Sequence, residues 1–185
     1  MVYLTALWLP ILLSAVIVFV ASSIIHMLLP YHKSDYQKLP DEEKVLSALR
    51  TVDLKRGLYM FPFCTHKEMN SPSAIEKFKQ GPVGTMTVFR SGPPAISNYM
   101  GMWFVYCLIV SFFVAYLTGR TVAPGAAYLG VFRVAGTAAF MSYGVGFLSN
   151  GIWKGQPWSM VLKEVFDGLI YALLTAGTFG WLWPH

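Results

Sequence analysis

Ile11-Leu12-Leu13-Ser14-Ala15-Val16-Ile17-Val18-Phe19-Val20-Ala21-Ser22-Ser23-Ile24-Ile25-His26-Met27-Leu28-Leu29 is an apolar run whose only polar side chains are three serines and one histidine. An α-helix rises about 1.5 Å per residue, so about 20 apolar residues cross a hydrocarbon core of about 30 Å. The run has that size and reads as a transmembrane helix. Trp8 and Pro10 stand at its mouth, where the missing N–H of a proline costs little. Met1-Val2-Tyr3-Leu4 carries no basic region, and no small-residue cleavage site follows. The expectation is a retained helix rather than a signal peptide.

Three more runs of this size follow, at 99–117, 130–148 and 165–183. Trp103, Phe104, Phe112 and Phe113 lie in the second, which Gly119 and Arg120 close, and the third is rich in small residues. Trp153 and Trp158 on one side, with Trp181 and Trp183 on the other, read as interfacial belts. The expected fold is membrane all-α, a four-transmembrane-helix bundle with a small α/β polar cap between helices 1 and 2. Residues 1–30 form the first transmembrane helix, 31–97 a polar loop of short helices and two strands, and 98–185 transmembrane helices 2–4.

Composition agrees. The chain is 55% hydrophobic and only 12% charged, with a mean hydropathy of +0.51, so the lipid bilayer is the expected solvent. The net charge of +5 comes from basic residues interleaved with acids, without the clustered face that tracks phosphates, and this excludes nucleic acid as a partner. Cys64 in the polar loop and Cys107 in an apolar run belong at different depths, so no disulfide is expected.

Of the 14 Lys and Arg residues, all but Arg120, Arg133, Lys154 and Lys163 fall in the large loop. Lys33 and Arg90 flank the membrane there, and Lys154 and Lys163 join them from the loop between spans three and four. By the positive-inside rule the large loop is cytoplasmic and both termini are non-cytoplasmic, the membrane being the plasma (inner) membrane if the chain is bacterial.

Within the loop, Asp41-Glu42-Glu43 followed by Val45, Leu46 and Leu49 predicts a short amphipathic helix, acids in its first turn. Residues 58–63 read as a strand. Ser73 and Glu76 stand at capping-box spacing for a second helix, and 83–90 read as a second strand. So small a piece buries too little to stand alone. The membrane surface, the chain's own helix ends or another subunit would have to complete it.

The fourth span has a small residue at every fourth position, Gly168, Ala172, Ala176 and Gly180, and the third offers Ala138, Ser142 and Gly146. Such stripes mark close helix packing in lipid, either of these two spans on each other or in an interface with a second copy or another membrane subunit.

Ionisable groups at membrane depth are costly and are candidate functional residues. His26 lies near the cytoplasmic end of span one, and Glu164 and Asp167 at the cytoplasmic start of span four, so antiparallel packing brings the three to a similar depth. Such a cluster can relay protons, hold a metal or anchor a headgroup or pigment. The plainer reading, which is preferred, has His26 bonding near Ser22 and Ser23 and the two acids favouring a positive helix N-terminus. Arg133, inside the opposite end of span three, is placed to snorkel to an anionic headgroup or ligand.

Bis-histidine haem needs a second membrane histidine, and His32, His66 and His185 fall at interfaces or in loops. Cys64 and His66 lack a second pair for structural zinc. Met100, Met102 and Cys107 invite copper but are ordinary lipid-facing filling. No phosphate loop, H-E-x-x-H motif or activated nucleophile is present, so neither a catalytic residue, a metal nor a cofactor is assigned. The favoured role is a non-catalytic accessory or scaffold subunit of a membrane assembly. The alternatives are a small transporter or proton-relay protein using His26, Glu164 and Asp167, and a membrane-embedded metal- or cofactor-binding enzyme.

Overall fold

The computed structural model describes residues Met1–His185 and divides into two compact units, Met1–Asp35 with Ala95–His185, and Tyr36–Pro94. The first is helical. Helix α1 spans Trp8–Met27, preceded by a 3-10 turn at Leu4–Leu7. The other helices of this unit are α4 at Ile96–Thr121, α5 at Tyr128–Tyr143, the short α6 at Leu148–Trp153, and α7 at Trp158–Trp181. Three segments, Leu4–Met27, Ile96–Thr121 and Tyr128–Trp153, are long and apolar enough to cross a membrane, as in a membrane protein. Helix α7 is as long, but Lys163, Glu164 and Asp167 dilute its first half.

Each long helix packs on two others: α1 on α4 and α7, and α5 on α4 and α7. Polar residues inside these helices bond back to the carbonyl one turn earlier, as an apolar surrounding demands. Ser14 Oγ donates to Pro10 O at 2.6 Å, Thr118 Oγ1 to Val114 O at 2.7 Å and Thr175 Oγ1 to Tyr171 O at 2.8 Å. Ser14 Oγ also reaches Ser111 Oγ at 3.0 Å and joins α1 to α4 at mid-height.

One end of the unit gathers the start of α1, the α4–α5 turn and the end of α7. There Val2 N donates to Gly119 O at 2.8 Å, Gly125 N to Pro184 O at 2.9 Å and Trp183 Nε1 to Ala123 O at 2.9 Å. Trp183 is therefore buried rather than part of an interfacial belt, whereas Trp153, Trp158 and Trp181 are exposed.

At the other end α5 stops where α7 presses against it. A Cβ on Gly168 would lie 2.5 Å from Gly144 Cα and from Tyr143 O, so two glycines permit backbone contact there. Along the same face Ala176 Cβ lies 3.1 Å from the Cβ position of Gly136, and Gly180 meets the Tyr128 ring. The stripe of α7 thus faces α5. On α5 the buried positions are Val131, Ala135, Ala139 and Tyr143, while Ala138 is half-buried and Ser142 and Gly146 are exposed. The contact face is turned by one residue from the Ala138, Ser142, Gly146 series, because large Val131 and Tyr143 share it with the alanines.

The second unit contains α2 at Glu42–Thr51, β1 at Gly57–Phe61, α3 at Pro72–Gln80 and β2 at Gly84–Val88. The strands pair antiparallel, from Gly57 opposite Val88 to Phe61 opposite Gly84. Ser71, not Ser73, caps α3: its Oγ accepts from Ala74 N at 3.2 Å, with Pro72 filling the first helical position, where no N–H is needed. Ala74 is the one buried residue in this unit. Leu58, Met60 and Phe63 stand exposed along β1 and just beyond it.

Candidate functional site

After α1 the chain does not leave the helical unit at once. Pro30 starts a 3-10 turn, Pro30–Ser34, that folds back onto α7. The polar region therefore begins at Tyr36 rather than at 31. The turn delivers three side chains to the first half of α7. Tyr31 Oη donates to Asp167 Oδ1. His32 holds Asp167 Oδ2 through Nε2 at 2.8 Å and Asp35 Oδ2 through Nδ1 at 2.5 Å. Lys163, one turn before Asp167 on α7, donates to Tyr31 O at 2.6 Å, Ser34 Oγ at 2.9 Å and Asp35 Oδ1 at 2.6 Å.

His26 comes to the same place from α1. Its Nε2 lies 3.8 Å from Asp167 Oδ2 and 3.4 Å from Tyr171 Oη, and its ring is tilted against that of His32 at 4.3 Å. Asp167 is 1% exposed, while the His26 side chain is 42% exposed. One group is sealed in and the other is reachable. Glu164 and His26 line a cavity of about 360 Å³ walled by Trp103, Tyr143, Phe147 and Tyr171. A cavity of about 380 Å³ at the opposite end, between Met1–Thr5 and α4, offers Arg120 as its one charged side chain and so less chemistry.

A neutral imidazole has one N–H, yet both His32 nitrogens lie at hydrogen-bond distance from carboxylate oxygens. The His32–Asp167 contact therefore holds a proton besides the one shared with Asp35. Asp167 meets Tyr31 and His32, and Asp35 meets His32 and the Lys163 ammonium, so neither carboxylate is buried without a hydrogen-bond partner. Burial pushes the Asp35 carboxyl up, but its bonds to Lys163 and His32 outweigh this and hold it below the usual carboxylate range.

The structure thus brings His26 and Asp167 together and sets Glu164 beside them in the cavity. Arg133 is exposed on α5 and forms no salt bridge. Tyr31, His32, Asp35 and Lys163 escape sequence reasoning because no periodicity marks a five-residue turn that reverses onto a distant helix. The one available signal is Pro30 followed by His32 and Asp35 at i, i+3 spacing. No protein-family model, curated protein or solved structure matches the chain.

Proposed function

We propose that the chain is a non-catalytic accessory or scaffold subunit that crosses the membrane four times, α7 included, and holds the Tyr36–Pro94 unit on the cytoplasmic side for a protein partner. The observation that carries this reading is the burial of Ala74 alone in that unit. A piece of chain with so little interior is too weakly held to stand by itself, and exposed Leu58, Met60 and Phe63 on a two-stranded sheet give a partner apolar surface and a free strand edge. Lys33, Lys154 and Lys163 at the polar-centre end of the helical unit support the cytoplasmic assignment. Beyond Tyr171 the interior is filled by Ala15, Val18, Val114, Ala139, Ala176 and Phe179, which favours a static bundle over a transport route.

Gentle purification from native membranes tests this. A second protein in fixed stoichiometry is expected, released by Leu58→Glu with Phe63→Glu while the helical unit melts at its usual temperature. A chain that runs alone, with or without those substitutions, overturns the reading.

A further inference from the structure

The polar centre has the donor set of a metal site. We propose that His26, His32 and Asp167 bind a divalent transition-metal ion of the zinc and cobalt class, with Asp35 positioning His32 and the adjoining cavity supplying the remaining coordination position.

One ligand atom from each of the three residues lies within 4.8 Å of the others. Four ligands at tetrahedral angles around zinc, with bonds of about 2.0–2.1 Å, sit about 3.3 Å apart. The Asp167 carboxylate is 3.8 Å from His26 and 2.8 Å from His32, so the observed spacings bracket that value. The imidazoles are within 4.8 Å of each other, so changes of up to about 1.5 Å in separation, shared among side chains from α1, the 30–34 turn and α7, would close the site.

Two imidazoles and one carboxylate select borderline ions, rather than magnesium or calcium with their all-oxygen shells or copper(I) with its thiolates. Around the ligands lies the support that metal-binding histidines use. Asp35 accepts the Nδ1–H of His32 and leaves Nε2 pointing at Asp167, and Lys163 fixes Asp35 in turn. The balance closes as well. The ion takes the place of the proton held between His32 Nε2 and Asp167, and that proton is released on binding. Access runs through the half-exposed His26 and its cavity, where Glu164 or a water can complete the shell.

The test uses the full chain in detergent, stripped with a chelator and titrated with Co²⁺ while visible d–d absorption is followed. The expected result is about one Co²⁺ per chain with a tetrahedral-type band that Zn²⁺ displaces. His26→Ala should abolish the band and, because its side chain is 42% exposed, lower metal-free thermal melting far less than Asp167→Ala does. Asp35→Asn should keep the band but weaken Co²⁺ affinity by about 10–100-fold, as loss of an outer partner does. No band in the natural chain, or equal binding by His26→Ala, overturns the site. Unchanged affinity in Asp35→Asn overturns the positioning role.

Discussion

The two ends of the helical unit are closed by different chemistry. At the end that holds the start of α1 and the end of α7, backbone amides and one indole meet carbonyls: Val2 to Gly119, Gly125 to Pro184, Trp183 to Ala123. At the other, side chains from α1, the 30–34 turn and α7 converge on one buried carboxylate. Backbone closure is neutral and spread over several bonds, so each bond matters modestly. The charged closure is concentrated, and removing Asp167 leaves His32, Tyr31 and Lys163 facing the wrong balance. The lesson is that the polar end trades tolerance to substitution for a defined chemical centre.

Substitutions can break this contrast. The largest loss is expected from Asp167→Ala, about 3–5 kcal/mol, because it strips one side of a buried charged network. Reversible unfolding in mixed micelles measures it, and a loss near zero would mean that the network does not hold this end. Next comes Gly168→Ala, at about 3 kcal/mol, because the new methyl has only the backbone of α5 to displace. A native-like melting temperature would show that α5 can slide away from α7. At the opposite end Trp183→Phe removes a single indole bond, for about 1 kcal/mol. If it destabilises as much as Asp167→Ala, the two ends are not different in kind. The smallest effect belongs to Ser111→Ala at mid-height, about 0.6 kcal/mol, the average for such bonds between membrane helices. Ser14 keeps its own bond to Pro10 O, so an effect of the Asp167 size would reveal a polar link that the contrast omits.

How much of this is legible in the sequence depends on whether a property is local. Apolar runs betray their length, so the long helices and the alternating elements of 36–94 can be read directly, within about five residues at their ends except at the start of α7, which lies at Trp158 rather than at 165. Ser73 attracts attention through Glu76, but Pro72 moves the helix start to Ser71. His26 and Asp167 are legible because an ionisable residue in an apolar run stands out and antiparallel helices equalise depth. His32 is not, because from sequence it lies past the run, and only the turn at Pro30 carries it back onto α7. The α5 face is similarly hidden. A four-residue series of small residues points to Ala138 and Ser142, whereas packing chooses Ala135 and Ala139, at the same spacing but flanked by the larger Val131 and Tyr143.

The insertion between α1 and α4 has a consequence in time. α1 packs on α4 and α7, and both are made only after the Tyr36–Pro94 unit has been synthesised. Ribosomes add about 5–20 residues per second, so α1 waits several seconds for its first neighbour. A helix that must reside unaccompanied in lipid has to be apolar around its whole circumference. Mean hydropathy does fall from the first to the second and then the third of the segments long and apolar enough to cross a membrane. α7 arrives last, carrying Lys163, Glu164 and Asp167, when the Tyr31 and His32 partners of its buried acid have already been made. The helix that carries three charged residues in its first half is thus the last to be made.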